Sequence, residues 1–288
     1  MSTADTSARE AAGRVWLITG ASSGFGRAIA EAALAAGDTV VAAARRPEAL
    51  EGLAATYPDR VVPVALDVTD PARVAAVVAE VLLWYGRIDV LVNNAGRGLV
   101  GAVEETTERE LRDLMELHFF GPAALTRAVL PHMRSQGSGA IVQMSSMGGR
   151  FSFAGVGGYS ATKFALEGLT EALALEVAPF GIKVMIVEPG AFRTGFAGGG
   201  ALLQSATIAA YEETVGPVRA TLPSTDGKQP GDPAKAAVAI LAALEAKETP
   251  LRLPLGNDSA DAILGHLDAS REEVLTWESV SRGTDFDD

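Results

Sequence analysis

The sequence predicts an α/β fold, a doubly wound parallel sheet with helices on both faces, and three observations carry that expectation. From residue 14 to about 190, short β-branched runs alternate with longer Ala/Leu-rich stretches, the pattern of parallel strands joined by helical crossovers. Each run is almost wholly apolar, as strands covered on both faces are. A glycine-rich turn follows the first run directly and leads into the first helical stretch, where a βα unit reverses direction.

In chain order, strands are expected at Val15–Thr19, 39–43, 61–66, Val90–Asn93, 140–144 and 183–187. Helix starts carry their own punctuation: Asp70 before Pro71 and Asp232 before Pro233 read as an N-cap followed by Pro at the first helical position, and Thr107 with Glu110 fits a capping box. Residues 251–255 suit one more edge strand, with Pro254 at its end or at an unpaired position. No linker separates two domains before residue 190, so residues 14–288 read as one domain after a flexible N-terminus, 1–13. Residues 195–231 break the alternation with a glycine run at 198–200 and a polar Pro/Gly stretch, and are expected to be a mobile insertion lying over a site. Residues 257–288 read as an acidic helix with a frayed end.

Composition excludes several classes. The 288 residues carry 36 acidic against 24 basic side chains, a net charge of −12, no Cys and three His. Without thiolates, and with only His118, His132 and His266 as imidazoles, no metal site is expected. Nucleic-acid affinity rests on Lys and Arg neutralising phosphates, so the acidic balance disfavours such a partner. The polar N-terminus has no signal-like apolar core, and no apolar run approaches the ~20 residues of a spanning helix. A cytoplasmic protein with no membrane contact is the expectation.

Thr19-Gly20-Ala21-Ser22-Ser23-Gly24-Phe25-Gly26 sits between strand and helix. That context places backbone N–H groups and the positive end of a helix dipole where a pyrophosphate can sit; the alternative is a tight turn whose glycines serve packing alone. Tyr159 and Lys163 are four apart, so on a helix they share one face and the ammonium can approach the phenol, although an ordinary amphipathic pair has the same spacing. Ser146 lies at the end of the fifth strand, thirteen residues before Tyr159. Ser145 should point to the opposite face of that strand.

Taken in order, Thr19-Gly20-x-x-x-Gly24-x-Gly26, Asn93-Asn94-Ala95-Gly96, Ser146, Tyr159-Ser-Ala-Thr-Lys163, and Pro189-Gly190 with Thr194 resemble the short-chain dehydrogenase/reductase family in its single-domain, Rossmann-like form, over residues 14 to about 195. The resemblance implies an oxidoreductase that interconverts an alcohol and a ketone or aldehyde by hydride transfer with a nicotinamide cofactor. It implies that Gly20, Ser22, Ser23, Gly24, Phe25 and Gly26 meet the cofactor, as do Asp67 and Val68 at the adenine, and Asn93, Ala95 and Gly96 on the adenosine side. It also places Pro189, Gly190 and Thr194, with the backbone at Ala191, at the carboxamide. Tyr159 becomes the acid/base, favoured as phenolate near neutrality by Lys163 and the oxidised nicotinamide, and Ser146 orients the substrate oxygen; Tyr159 and Lys163 also contact the cofactor. At the end of the second strand, where Asp or Glu would bond the ribose 2′-OH of NAD, stand Ala44, Arg45 and Arg46. A neutral residue beside guanidinium groups suits a 2′-phosphate, so NADP(H) is the expected cofactor, unless both arginines merely cap a surface turn before Pro47.

One position departs from the family. Where an Asn usually kinks the fourth helix and holds a water relaying protons to the Lys, this chain has His118. His118 is expected either to substitute in that relay, titrating near pH 6.5, or to pack inside the helix with a weaker relay. An NADP-binding sensor with impaired catalysis is therefore the alternative to an enzyme. Met147, Phe151, Phe153, Phe192 and Phe196, with Leu202, Leu203, Ile208 and Tyr211 from the insertion, suggest an apolar pocket for a bulky carbonyl compound, where the competing reading is plain core. Arg97 and Arg150 are read as solvated surface, with contact to a polar substrate end as the alternative, and His132 and His266 as structural or surface residues. The resemblance further implies a homodimer or homotetramer pairing through 111–133 and the helix after Tyr159.

Overall fold

A computed structural model describes residues 9–198 and 200–286. Seven strands form one parallel sheet: β1 (Val15–Thr19), β2 (Thr39–Ala44), β3 (Val61–Ala65), β4 (Val90–Asn93), β6 (Gly139–Met144), β7 (Ile182–Pro189) and β9 (Arg252–Leu255), in the order β3-β2-β1-β4-β6-β7-β9. The order reverses at β1, which pairs Leu17 with Val41 of β2 on one side and with Leu91 of β4 on the other. A crevice opens at such a switch point beyond the carboxyl ends of the strands, and ligands of open α/β sheets bind there.

The apolar runs are apolar because both faces are covered. Trp16 and Ile18 of β1 point into a core shared with Ile29 and Leu34 of α1 (Gly24–Ala35) and Ala237 and Ile240 of α8 (Pro233–Glu245), beside which lies the short α2 (Glu51–Thr56). Val15 and Leu17 point the other way, onto Val77 and Val81 of α3 (Pro71–Tyr85), Leu125 and Val129 of α5 (Gly121–Gln136) and Leu173 of α6 (Gly157–Val177). The punctuation holds: Asp70 accepts from the N–H groups of Ala72 and Arg73, Asp232 from that of Ala234, and Thr107 and Glu110 form the capping box that opens α4 (Glu108–Met115).

Four stretches differ from expectation. Residues 9–13, expected within a flexible N-terminus, make backbone contacts: the Arg9 N–H donates to the Trp84 carbonyl at 2.7 Å, and Ala12 exchanges hydrogen bonds with the Thr39 hydroxyl; residues 1–8 lie outside the described residues. The long helix expected over 111–133 is interrupted by a π-helical turn, Glu116–Phe120, between α4 and α5, a form that is rare and concentrated at functional sites. The described residues of 195–231, expected to form a mobile insertion, carry regular structure. They contain β8 (Leu202–Gln204), which pairs in parallel with β5 (Gly98–Val100), and α7 (Glu212–Ser224). Val215, Leu202 and Val218 pack on Val100 and Ala102, and Arg219 pairs with the buried Glu105 at 2.6 Å. The acidic tail is two helices, α9 (Asn257–Thr276) and α10 (Glu278–Arg282), parted at Trp277; residues 287–288 lie outside the described residues. No helix among the described residues is long and apolar enough to cross a membrane.

Candidate active site

The glycine turn closes over the end of β1 so tightly that backbone fills the space side chains would take. A Cβ on Gly26 would stand 2.4 Å from the Gly20 carbonyl oxygen, and Gly24, at φ +54°, lies against Thr194. Asn94 ties this turn to the end of β4, its Nδ2 donating to the Thr19 carbonyl at 2.8 Å while the Thr19 hydroxyl accepts from the Asn94 and Ala95 N–H groups. Ser23 caps α1 without a side-chain hydrogen bond, so the first amides of the helix, with its positive dipole end, face the crevice. A pyrophosphate fits this cradle. Ala44 is buried at the end of β2, and Arg45 and Arg46 stand exposed beyond it.

Asp67 is positioned by Thr69, whose N–H (3.0 Å) and hydroxyl (2.8 Å) both bind Oδ1, leaving Oδ2 to accept from an adenine amino group. Burial pushes its carboxyl up, but the Thr69 bonds and the charges of Arg45 and Arg97 outweigh that and hold it below its usual value. Two cofactor-side expectations need correction. The Asn93 side chain is turned into the core, donating to Gln143 Oε1 at 3.0 Å, so only its backbone is available to the adenosine side. The Ala191 N–H is already donated to Asp258 of α9 at 2.7 Å, and Gly190 packs against the same carboxylate.

Ser146, two residues beyond β6, caps the turn 147–149 in extended backbone and accepts the Gly148 N–H at 3.1 Å, which leaves its hydroxyl hydrogen free to donate. Tyr159 and Lys163 rise from one face of α6. Lys163, only 6 % exposed, donates to the Met144 carbonyl at 2.8 Å, and its Nζ lies 5.7 Å from the centre of the Tyr159 ring. Burial pushes the Tyr159 phenol up to about 12, against the pull of a hydrogen bond with Ser146. Burial likewise brings the Lys163 ammonium down to about 8. The phenolate expected near neutrality is therefore not the resting form of the protein alone: below about pH 8 the pair is a neutral phenol beside an ammonium, a proton donor beside a cation that stabilises what remains after donation.

His118 sits in the π-helical turn, 1 % exposed, its ring edge-on to Tyr159 with centroids 5.5 Å apart. The Thr162 hydroxyl gives its hydrogen to the Tyr159 carbonyl (2.8 Å), so toward His118 Nδ1 (2.9 Å) it acts as acceptor, and the N–H is on Nδ1. Nε2 then accepts the Arg97 N–H at 3.0 Å. Both ring nitrogens are occupied by protein, and burial with the charges of Lys163 and Arg97 pushes the imidazole well below 6.5. The titrating relay is thereby corrected to a neutral clamp joining the loop after β4 to the helix of Tyr159. Accordingly, His118→Asn is expected to leave the pH–rate profile superimposable on the parent's. It is also expected to flatten stability against pH. Because the folded value is depressed, only the unfolded chain takes up the proton near 6.5, so stability falls as pH drops below that value, by at most about 1.4 kcal/mol per pH unit. Denaturant titrations from pH 5 to 8 read that slope directly.

Of the apolar candidates, Phe196 reaches the site, its ring 5.9 Å from that of Tyr159, beside Leu202 over Gly98. Met147 and Phe153 are partly or largely exposed in the segment after Ser146, and Phe151 stacks on His266 at 5.7 Å. Phe192 is not a pocket residue: it is buried, packs on Phe25 at 5.0 Å and belongs to the α1–α8 core. Thr162, Asp258 and Glu167 contact site elements and were not expected from the sequence, although Glu167 falls on the Tyr159–Lys163 helix face.

With this geometry established, residues 14–199 match the family model described as short chain dehydrogenase, and the chain belongs to that family of oxidoreductases. It is 43 % identical over 250 residues to an oxidoreductase, BOA17, of Botryotinia fuckeliana, covering 86 % of this chain and 90 % of that one. A 3-ketodihydrosphingosine reductase of Bacteroides thetaiotaomicron is 45 % identical over 183 residues, 64 % of this chain and 65 % of its own. A crystal structure of a short-chain dehydrogenase from Streptomyces avermitilis shares 64 % identity at a TM-score of 0.90, covering 95 % of this chain and all of that one. A Burkholderia cenocepacia short chain dehydrogenase in complex with NADP is 28 % identical at 0.71, over 91 % of this chain and 96 % of that one. A Burkholderia phymatum member of the family in complex with NAD is 25 % identical at 0.78, over 93 % and 95 %. Members of the fold thus hold either nucleotide.

Proposed function

We propose that this protein is an NADP(H)-dependent carbonyl reductase for bulky, apolar ketones or aldehydes, and that the arrangement of Ser146, Tyr159 and Lys163 at the switch-point crevice is the observation that carries the reading. When bound, the reduced nicotinamide supplies a hydride to the carbonyl carbon. Ser146 donates its hydroxyl hydrogen to the substrate oxygen and holds it in place, its own oxygen steadied by the Gly148 N–H. Tyr159 gives its proton to that oxygen as negative charge develops there, and the Lys163 ammonium offsets the phenolate left behind. With burial holding the phenol protonated, Tyr159 is in the form that can give a proton to the carbonyl oxygen.

The glycine cradle and the first turn of α1 would hold the pyrophosphate, Arg45 and Arg46 the 2′-phosphate, and Asp67 the adenine. The apolar surface of Phe196 and Leu202, carried on the 195–231 segment, favours a hydrophobic substrate, and the name of the Bacteroides relative points to a ketone. The exposed Leu111, Phe120, Phe164 and Leu169 of α4, the π-helical turn and α6 form the face on which a second copy would pair.

The test is consumption of NADPH and, in parallel, NADH against ketones and aldehydes from small to steroid-sized. Turnover favouring NADPH is expected. Arg45→Ala/Arg46→Ala should cut kcat/KM for NADPH about 10- to 100-fold, the loss of one or two charge-assisted bonds, while leaving NADH almost unchanged. Equal use of NADH by the parent would sink the cofactor assignment; no turnover with either would sink the reading.

A further inference from the structure

Behind the crevice lies a set of buried charged side chains that the chemistry above does not use. Tyr159, Lys163 and Glu167 follow one another at intervals of four on α6 and share one face. Glu167 is 3 % exposed. Its Oε1 accepts from the Ser145 hydroxyl at 2.5 Å, and its Oε2 lies 3.1 Å from Arg252 Nε, on the edge strand β9. Arg252 Nε is also 3.2 Å from Glu188 Oε1, and its Nη2 is 2.7 Å from Glu171, while Arg150 reaches Glu188 at 3.3 Å. Gly149 closes against the same carboxylate, where a Cβ would stand 2.2 Å from Glu167 Oε1. Ser145 precedes Ser146, and Gly149 ends the turn that Ser146 begins. One carboxylate is thus pinned between the strand end and turn that carry Ser146 and the helix that carries Tyr159 and Lys163.

Stability is a weak reason for a charge here, because apolar residues of equal volume often stabilise a core as well as a buried ion pair does. Lys163 supplies the missing reason. Its hydrogen bond goes to a neutral carbonyl, that of Met144, and the titratable groups near it on the site side are the neutral phenol of Tyr159 and the neutral ring of His118. Glu167, one helical turn further on, is the anion that acts on it. Glu188 is a weaker candidate, since burial and the neighbouring Glu167 push its carboxyl up toward the neutral form.

We propose that Glu167 is a positioning residue for this reaction: its carboxylate, held by Ser145 and Arg252, is the counter-charge that keeps Lys163 an ammonium beside Tyr159 and ties it to the strand end carrying Ser146. The inference rests on the reductase reading above. Burial raises the Tyr159 phenol above its ordinary value and lowers the Lys163 ammonium below its own, so Lys163 is the first of the two to lose its proton and is expected to set the alkaline fall in kcat/KM for carbonyl reduction. Glu167→Gln removes the counter-charge and shifts that limb about one pH unit toward acid. Arg252→Gln leaves the Glu167 charge uncompensated and shifts it the other way, and Glu167→Asp, which keeps the charge, returns the limb toward the parent's position. A merely structural role would lower thermal stability and move none of these limbs. Should Glu167→Gln fail to fold, Arg252→Gln carries the test with the opposite sign. A limb that stays in place in a folded variant overturns the inference while parental turnover keeps the reductase reading standing; a parent that reduces no carbonyl overturns both.

Discussion

Tyr159→Phe is expected to lower kcat about 10²- to 10⁴-fold, the range a positioned general acid contributes, while leaving the fold and NADPH binding intact. The ring contacts survive the change, since Phe keeps the edge-on packing against His118 and the contact with Phe196. What disappears is one hydroxyl that stands hydrogen-bonded with Ser146. Without it the oxygen of the substrate still has Ser146 as a donor, but no group that can transfer a proton as the alkoxide forms. Lys163 is not expected to take over, since its Nζ donates to the Met144 carbonyl and stands 5.7 Å from the centre of the Tyr159 ring rather than at the position of the lost hydroxyl. Stopped-flow or steady-state NADPH oxidation measures the rate, NADPH fluorescence measures the binding, and thermal unfolding checks the fold. A rate within threefold of the parent's would remove Tyr159 from the chemistry. Loss of binding together with rate would instead assign it to cofactor contact alone.

The strands were legible because burial on both faces leaves a local mark: five or six consecutive apolar, β-branched residues can be little else. The Tyr159–Lys163 pair was legible for a similar reason, since the two side chains meet through the pitch of one helix. Features made by residues distant in sequence left no such mark. The β5–β8 pair joins three-residue strands about a hundred positions apart, and Glu167 meets Arg252 across 85 positions; neither segment has a pattern of its own. The π-helical turn at His118 is a change of hydrogen-bond partner, not of composition, and from sequence it reads as continuous helix. Phe192 shows the limit of residue type as a guide. An aromatic beside a site motif fits pocket and core equally, and only its contact with Phe25 decides for core. Asn93 is the same problem in a polar residue, where the side chain had two directions available and took the one toward Gln143.

Gly26→Ala and Gly168→Ala should change stability in opposite directions, although both replace a glycine inside a helix with the better helix former. Intrinsic propensity favours Ala over Gly by about 1 kcal/mol at either position. At Gly168 of α6 nothing within the protomer lies within 4 Å of the new methyl group, so in the protomer propensity acts unopposed and the variant is expected to be about 0.5–1 kcal/mol more stable. At Gly26 of α1 the methyl would stand 2.4 Å from the Gly20 carbonyl oxygen, 2.5 Å from Asn94 Nδ2 and 2.8 Å from the Gly20 carbonyl carbon. Two of those three atoms are backbone, and the third is the amide that ties the turn to β4, so none can swing aside as a flexible side chain would. Overpacking of this kind costs about 1–3 kcal/mol, which outweighs the propensity gain and lowers Tm by several degrees. The larger effect falls on the cofactor. Relief of the clash pushes Gly20 and the first amides of α1 apart, spoiling the cradle for a pyrophosphate, and NADPH affinity is expected to drop at least tenfold. Differential scanning calorimetry with and without NADPH separates the two effects, because the thermal shift produced by the cofactor should shrink for Gly26→Ala and remain at the parent's size for Gly168→Ala. An unchanged cofactor shift in Gly26→Ala would mean that the pyrophosphate does not rest on this turn.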